Sequence, residues 1–369
     1  MKKMLIASLS VSIFVVLAIT FMVLFGGSKV HLSNQSNNSL EICNSLIYNG
    51  DDKINIVFLS DKKTVREYSD YLFSITPFSS NKDKFNILYI DSYQPECQLY
   101  KSVALLCYSK ELTKKASSCK SDYVIALENK PAEIRSSSYM NVISINKNNP
   151  KTVLPHELSH ALANLADEYV PADIPSGSKN CLSKCTLSKE NCFDGCSKSN
   201  YYRTINQGIM RSLNSKEFGS FDESLIQESI NSQTDKRTGI TGNAISEINC
   251  NGQSYYLLTG TLKDNSIQIK NKEIEKGCVG NNGYGQFNHR IILNDNTILG
   301  QESFNPEFIF TDSQNGQMTI DGSTFSSDIE FYVKVPAIND AKTLEIYNED
   351  TKVGETKLND IGAIPCKLV

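Results

Sequence analysis

The first half of the chain alternates short apolar blocks with amphipathic ones. Four apolar blocks predict buried strands, at residues 54–59, 85–91, 122–127 and 141–146. Residues 61–73 have a helical composition, and a Lys- and Ser-rich block of similar character separates the second predicted strand from the third. The turn residues Asn148, Asn149 and Pro150 then precede a further predicted helix. Strands that alternate with helices in this way are typical of a layered α/β domain.

The second half of the chain changes to short strand-like runs separated by turns. These runs lie at residues 253–262, 267–270, 289–293, 329–335 and 344–347. Asn-Gly and Asp-Gly dipeptides stand between them, and short strands with turns at this spacing predict a β-sandwich-like domain. We therefore predict an α/β (α+β) domain at residues 46–240 and a β-sandwich-like domain at residues 245–369, with the boundary near residues 239–247.

The N-terminus predicts a membrane anchor. Two lysines precede residues 4–25, which carry no charge. A secretory signal has an apolar core of about 7–15 residues, whereas a spanning helix needs about 20. No small-residue cleavage site stands out, so we interpret residues 1–27 as an uncleaved signal anchor, with a cleaved signal peptide as the alternative. The lysines would stay in the cytoplasm, which places a Ser- and Asn-rich stalk at residues 28–45 and everything beyond it outside the cell membrane.

Composition adds two constraints. The chain has 37 Lys and Arg against 41 Asp and Glu, a net charge of −4, and no basic cluster, so we expect no nucleic-acid partner. Its 11 cysteines, in a protein outside the cytosol, favour disulfides. The tightest group is Cys181, Cys185, Cys192 and Cys196. Its C-x3-C-x6-C-x3-C spacing predicts two short helices joined by nested bridges, Cys181–Cys196 and Cys185–Cys192, with a structural zinc site as the alternative.

Residues 156–160 read His-Glu-Leu-Ser-His, which predicts a metal-binding helix. His156 and His160 are four residues apart, so they share one helix face, and Pro155 fits the first turn. Neutral imidazoles suit zinc, and a catalytic zinc site has three protein ligands and one open position. Glu157 would then act as general base on the water at that position. A string of five residues also occurs by chance, so the residues that follow it matter.

The residues after this helix suggest the third ligand. In the metzincin arrangement a third histidine follows the first by ten residues, but position 166 is Ala. Asp167 comes one residue later, and Asn164 tolerates the left-handed conformation that would end the helix. The turn is required because eleven helical residues would carry Asp167 about 16 Å along the axis. We therefore predict Asp167 as a ligand. The alternatives are Glu168, Glu223 and Glu228.

With these residues the chain resembles the immunoglobulin A peptidase-like zinc metallopeptidases. Their motif runs from HExxH to a Leu-x-Asp-Glu-Tyr ending, which residues 165–169 match, although Ala163 stands where the pattern usually has Gly. Residues 192–203 and 208–211 are also similar, and the resemblance extends over residues 54–230. It implies a metzincin-like catalytic domain that binds Zn²⁺ and acts on a protein or peptide substrate.

Three further residues are assigned supporting roles. Met210 would form the apolar floor beneath the histidine rings, the role that the resemblance implies, although buried methionines are more often plain core. Glu168 would hold a ring or backbone group near the metal. Tyr202, or its neighbour Tyr201, would donate a phenol to the oxyanion, with ordinary packing as the alternative. Residues 141–146 are interpreted as an edge strand that would pair with an extended peptide substrate, with a strand that only ends the sheet as the alternative.

Together these patterns predict a membrane-anchored, extracytoplasmic zinc metalloendopeptidase. Zinc would be held by His156, His160 and Asp167, and Glu157 would pass the water proton to the leaving amine. The alternative is a catalytically inactive surface binding or adhesion protein with a peptidase-like fold. The intact histidines and Glu157 favour the enzyme.

Overall fold

Strands dominate the described part of the protein, with a few helices between them. The computed structural model describes residues 40–185, 192–238, 250–263, 266–280, 285–306, 308–310, 323–324 and 330–359. The strands are β1 (Asn44–Ile47), β2 (Ile54–Leu59), β3 (Phe85–Ile90), β4 (Gln98–Tyr100), β5 (Ala104–Leu106), β6 (Tyr123–Glu128), β7 (Ser137–Tyr139), β8 (Val142–Asn146), β9 (Phe193–Cys196), β10 (Lys198–Arg203), β11 (Ser254–Lys263), β12 (Ser266–Lys276), β13 (Phe287–Leu293), β14 (Ile298–Phe304), β15 (Phe308–Phe310), β16 (Ser323–Thr324), β17 (Phe331–Pro336), β18 (Ala341–Asn348) and β19 (Thr351–Lys357). The helices are α1 (Lys62–Leu72), α2 (Lys110–Ala116), α3 (Val153–Ala163) and α4 (Ser220–Thr238), with a 3-10 helix at Ser79–Lys84.

A mixed sheet of eight strands, in the order β1-β3-β2-β6-β8-β7-β15-β16, forms the framework of the protein. Four consecutive inner strands, β3, β2, β6 and β8, run parallel. Successive residues of β2 face opposite hydrophobic clusters: Val57 and Leu59 belong to one, Ile56 and Phe58 to the other. A parallel strand covered on both faces is mostly apolar on both of them, which is why these four strands were visible in the sequence. The predicted mixed α/β character is confirmed.

The predicted edge strand at residues 141–146 does not lie at an edge. This segment is β8, which is fully buried between β6 on one side and β7 on the other. The chain reverses at Met140, whose φ is 55°, so that β7 pairs antiparallel with β8. Strand β15, from far along the chain, pairs antiparallel with β7 in turn. The prediction was wrong because the strands that cover β8 are set by long-range pairing.

Helix α3 carries the HExxH residues and packs against β7 and β8. Pro155 is its third residue, where the missing backbone N–H costs no intrahelical hydrogen bond. Asn164 ends the helix with φ 52° and ψ 38°, and its N–H donates to the carbonyl of His160. This left-handed corner turns the chain back toward the helix, as predicted from the asparagine.

Two antiparallel sheets make up most of the C-terminal part, in the orders β12-β11-β17 and β14-β13-β18-β19. Both contribute to the hydrophobic cluster on one face of the main sheet, which includes Leu88, Val124, Leu258, Phe331 and Leu344. The predicted strand-rich region is therefore confirmed, and it shares a core with the first half of the chain. The predicted boundary at residues 239–247 lies outside the described residues.

Five disulfides connect the described cysteines, namely Cys43–Cys119, Cys97–Cys107, Cys181–Cys196, Cys185–Cys192 and Cys250–Cys278. The predicted nested pair is confirmed, and the alternative of a structural zinc site is replaced by it. The predicted short helices are wrong where the structure describes them, since Phe193–Cys196 is strand β9. The four-residue spacing fits a helical turn, but the bridges join two separate segments rather than one turn to the next.

The predicted membrane anchor at residues 1–27 lies outside the described residues, and so do residues 28–39 of the predicted stalk. Within the residues that are described, no helix combines the length and the apolar character that a membrane crossing requires.

The disulfide arrangement predicts the number of reactive thiols. Of 11 cysteines, the five bridges use ten, which leaves Cys366. Protein made in an oxidising compartment and denatured without reductant should therefore take up one iodoacetamide label per chain, as measured by mass spectrometry, against eleven after reduction. Labelling of all four cysteines from Cys181 to Cys196 in the unreduced sample would contradict the nested pairing.

Candidate metal centre

Three ligand atoms converge at the end of α3. The Nε2 atoms of His156 and His160 lie 3.0 Å apart. Oδ1 of Asp167 lies 3.0 Å from the first and 3.4 Å from the second. All three side chains are at most 3% exposed. Among the described residues, this is the one group of three such side chains close enough to share a metal ion, and it includes neither Glu223 nor Glu228.

Backbone carbonyls fix the orientation of both rings. His156 Nδ1 lies 2.9 Å from the carbonyl oxygen of Ile209, and His160 Nδ1 lies 2.6 Å from that of Leu165. A carbonyl oxygen can only accept, so each Nδ1 carries a proton and donates it. In its neutral form, this tautomer presents the lone pair of Nε2 to the centre. Such a bond at the far nitrogen is the usual support of a metal-binding histidine.

The three atoms require a cation among them. Two imidazole lone pairs and a carboxylate oxygen repel one another in a space that excludes water, and Asp167 Oδ1 is buried without a hydrogen-bond donor in the described structure. Either a proton on a ring or a metal ion can fill this role. A tetrahedral zinc ion with bonds of about 2.0–2.2 Å holds its ligand atoms about 3.4 Å apart, close to the observed spacing. Two nitrogens and one oxygen are also a ligand set that catalytic zinc uses.

Asp167 is held so that one carboxylate oxygen faces the centre. The Tyr169 hydroxyl donates to Oδ2 over 2.8 Å, which leaves Oδ1 toward the histidines. Burial opposes ionisation, but His160 and His156 outweigh it and keep the pKa of Asp167 below its usual range. The carboxyl group is therefore ionised and ready to bind a cation.

Two buried polar residues, both missed in the sequence, clamp the backbone around Asp167. The side-chain amide of Asn180 accepts from Ala166 N over 2.7 Å and donates to Ala166 O over 2.9 Å. Ser197 Oγ donates to the carbonyl of Asp167 over 2.6 Å. Each clamp residue lies next to a cysteine of the Cys181–Cys196 bridge, so that disulfide ties the two clamps together. Their position beside paired cysteines is the only sequence signal that could have revealed them.

The segment around Met210 supports the centre through its backbone. The carbonyl of Ile209 orients His156, as described above, and the carbonyl of Met210 accepts from Glu168 N over 2.8 Å. Arg211 Nη1 donates to the carbonyl of Glu168 over 3.2 Å. The Met210 side chain is fully buried in the cluster that contains Leu158. Its role as a floor beneath the rings stays a prediction.

Glu168 contributes through its backbone more than through its carboxyl group. That group is buried near Asp222 and lies against Gly208, where an added Cβ would stand 3.4 Å from Glu168 Oε2. Burial and the negative charge of Asp222 raise the pKa of Glu168 well above its usual range. Burial likewise raises the pKa of Asp222. The structure thus shows no hydrogen bond from this carboxyl to a ring or backbone group among the described residues, unlike the predicted role.

Glu157 and Tyr202 complete the predicted set. Glu157 is fully buried on α3, directly after His156. Tyr202 lies partly exposed on β10, and its backbone exchanges two hydrogen bonds of 2.8 Å with Leu182. A cavity of about 20 Å³ touches His160, which is room for about one water molecule.

A comparison of the chain with protein-family models gives no match, and a comparison with curated proteins gives none either. The candidate centre therefore rests on its own geometry.

The geometry predicts that Asp167, not Glu168, binds the metal. Asp167→Ala should weaken zinc affinity by at least about a hundredfold, because it removes one of three ligands. Glu168→Gln keeps both backbone hydrogen bonds and should change affinity far less. Competition with a chromophoric chelator measures both values. An equal or larger loss in Glu168→Gln would show that the ligand assignment is wrong.

The Asn180 clamp gives a second prediction. Asn180→Ala leaves the buried N–H and C=O of Ala166 without partners, at a cost of about 1–3 kcal/mol in the free energy of unfolding. Because the clamp also positions Asp167, zinc affinity should fall together with the melting temperature. Asn148→Ala is the matched control, since its exposed amide donates only to Lys130 O. If Asn180→Ala binds zinc as tightly as the control, the clamp does not position the ligand.

Proposed function

We propose that this protein is a zinc metalloendopeptidase, with a metzincin-like catalytic domain followed by a β-sandwich-like domain. The observation that carries the proposal is the convergence of His156, His160 and Asp167, three lone-pair atoms within 3.4 Å of one another in a buried site. The HExxH order adds a carboxylate, Glu157, on the same helix. This combination of ligands and base is what metal-assisted peptide hydrolysis requires.

Zinc held by these three residues would supply Lewis-acid polarisation of a water molecule and of the scissile carbonyl. The remaining chemistry belongs to the side chains. Glu157 accepts a proton from the attacking water while the water oxygen bonds to the carbonyl carbon. Glu157 then passes that proton to the leaving nitrogen as the C–N bond breaks. Tyr202, or Tyr201, is the proposed donor to the oxyanion between these steps.

The proposed location follows from the disulfides and the N-terminal sequence. Five bridges in the described residues favour an oxidising compartment. The apolar run at residues 4–25 would anchor the protein in the lipid membrane by a single pass, with the catalytic domain on the outer side. The substrate would then be an extracytoplasmic protein or peptide.

A second candidate function is a surface binding or adhesion protein that keeps the fold without catalysis. The small cavity beside His160 favours it, because a volume of about 20 Å³ admits about one water molecule and no peptide. Metal analysis of the purified protein separates the two: about one zinc per chain supports the enzyme, and none supports the binding protein.

The proposed roles of Glu157 and His160 predict two different losses. Glu157→Gln should retain one zinc per chain but lower hydrolysis of a quenched fluorescent peptide library by about 10²–10⁴-fold, because the base is lost and a ligand is not. His160→Ala should lose both zinc and hydrolysis. The measurements are metal analysis and fluorescence release on the same samples. Undiminished hydrolysis by Glu157→Gln would refute its role as base.

A further inference from the structure

Strand β15 covers the side of β7 that would otherwise be open. Phe308 lies opposite Tyr139, Ile309 opposite Ser138, and Phe310 opposite Ser137 in antiparallel register. Strand β7 belongs to the first half of the chain, whereas β15 comes from the C-terminal part. An extended segment from a distant part of the chain therefore pairs with this edge in the way that an extended peptide ligand would.

This edge borders the candidate metal centre. Helix α3 packs against β7, and Ser138 and Met140 line the cavity that touches His160. The other side of that cavity is formed by Asn305 and Ile309, from the segment that contains β15. Its volume of about 20 Å³ has no room for a peptide. Asn305 and Ile309 thus leave room for about one water molecule beside His160 on this side.

An aromatic side chain anchors the segment. Phe308 is fully buried, with its ring centroid 4.7 Å from that of Tyr100 and 6.0 Å from that of Tyr139. Spacings of this size are typical of interacting aromatic pairs. The two tyrosines, which we call the Tyr100–Tyr139 pocket, accept one large ring at a fixed position along β7. Any peptide that replaced β15 on this edge would offer a side chain to the same pocket.

We propose that β7 is the substrate-binding edge of the enzyme, that the Tyr100–Tyr139 pocket selects an aromatic residue of an extended peptide, and that β15 occupies both as an internal competitor. This inference rests on the proposed peptidase function and names its substrate class. The bound peptide would replace the backbone pairing of β15 and the ring of Phe308 in one step. Its apparent affinity equals the intrinsic affinity multiplied by the fraction of molecules in which β15 has left β7.

Replacing Phe308 with a small residue should therefore expose the side of β7 that β15 covers. The probe is a fluorescein-labelled peptide with the sequence of residues 303–311, Ser-Phe-Asn-Pro-Glu-Phe-Ile-Phe-Thr. The protein is the full chain in detergent with Glu157→Gln, so that binding is measured without cleavage. Phe308→Ala should bind this peptide at least about tenfold more tightly than the chain with Phe308, by fluorescence anisotropy. A peptide with Ala in place of the Phe that corresponds to Phe308 should lose most of that gain.

Phe85→Ala is the matched control for general destabilisation. Phe85 is also fully buried, but it lies on β3, four strands away from β7 in the sheet. It should lower the melting temperature without increasing peptide binding. Equal peptide affinity in the Phe308→Ala variant and in the chain with Phe308 would overturn the inference.

A disulfide lock tests the same inference if Phe308→Ala does not fold. Ser138→Cys combined with Ile309→Cys joins two residues that lie opposite each other in the register. The locked protein should bind the peptide at least about tenfold more weakly than the Ser138→Cys single variant. Undiminished binding by the locked protein would overturn the inference.

The outcomes also separate this inference from the proposed function. If zinc-loaded Phe308→Ala with intact Glu157 cleaves no peptide, while Phe308→Ala still binds the probe more tightly than the chain with Phe308, the peptidase assignment fails and the binding edge stands. If the chain cleaves peptides but probe binding changes neither in Phe308→Ala nor in the Ser138→Cys, Ile309→Cys disulfide variant, the inference alone is overturned.

Discussion

The requirement for a cation between His156, His160 and Asp167 is the constraint on which the rest of the site depends. Three lone-pair atoms at 3.0–3.4 Å cannot stay together in a dry interior unless a positive charge lies among them. Each of the three side chains must also be prevented from rotating to another hydrogen-bond partner. The surrounding structure provides that restraint mostly through backbone atoms: two carbonyls hold the rings, and an asparagine and a serine hold the main chain next to the carboxylate.

Local constraints made part of this site visible in the sequence. The spacing of His156 and His160 determines their shared helix face, and Asn164 marks the left-handed residue that ends the helix. Asp167 follows from both, because a chain that reverses at residue 164 returns only its next few residues to the two histidines. The four parallel strands were visible for a similar reason, since burial on both faces favours apolar residues at most positions.

The features that were missed depend on contacts between distant parts of the chain. Strand β8 is an inner strand because β7 and β15 extend the sheet beyond it. No local sequence pattern predicts that β15 pairs with β7. Asn180 and Ser197 form hydrogen bonds with backbone atoms. Because every residue has these atoms, the residue types at positions 166 and 167 do not reveal the bonds. The direction of the Glu168 side chain at the corner depends on where Gly208 and α4 come to lie.

The bridge between Cys181 and Cys196 links the two segments whose Asn180 and Ser197 hold the backbone at Asp167, so the rigidity of the candidate site depends on the oxidation state of these cysteines. Thiols stay reduced in the cytosol, so a newly made chain there has no covalent link between the two clamps. The metal site would reach its full rigidity only after the chain has been exported and oxidised. If the proposed function and location hold, oxidative folding would delay peptide hydrolysis until after export, which would protect the other proteins of the producing cell.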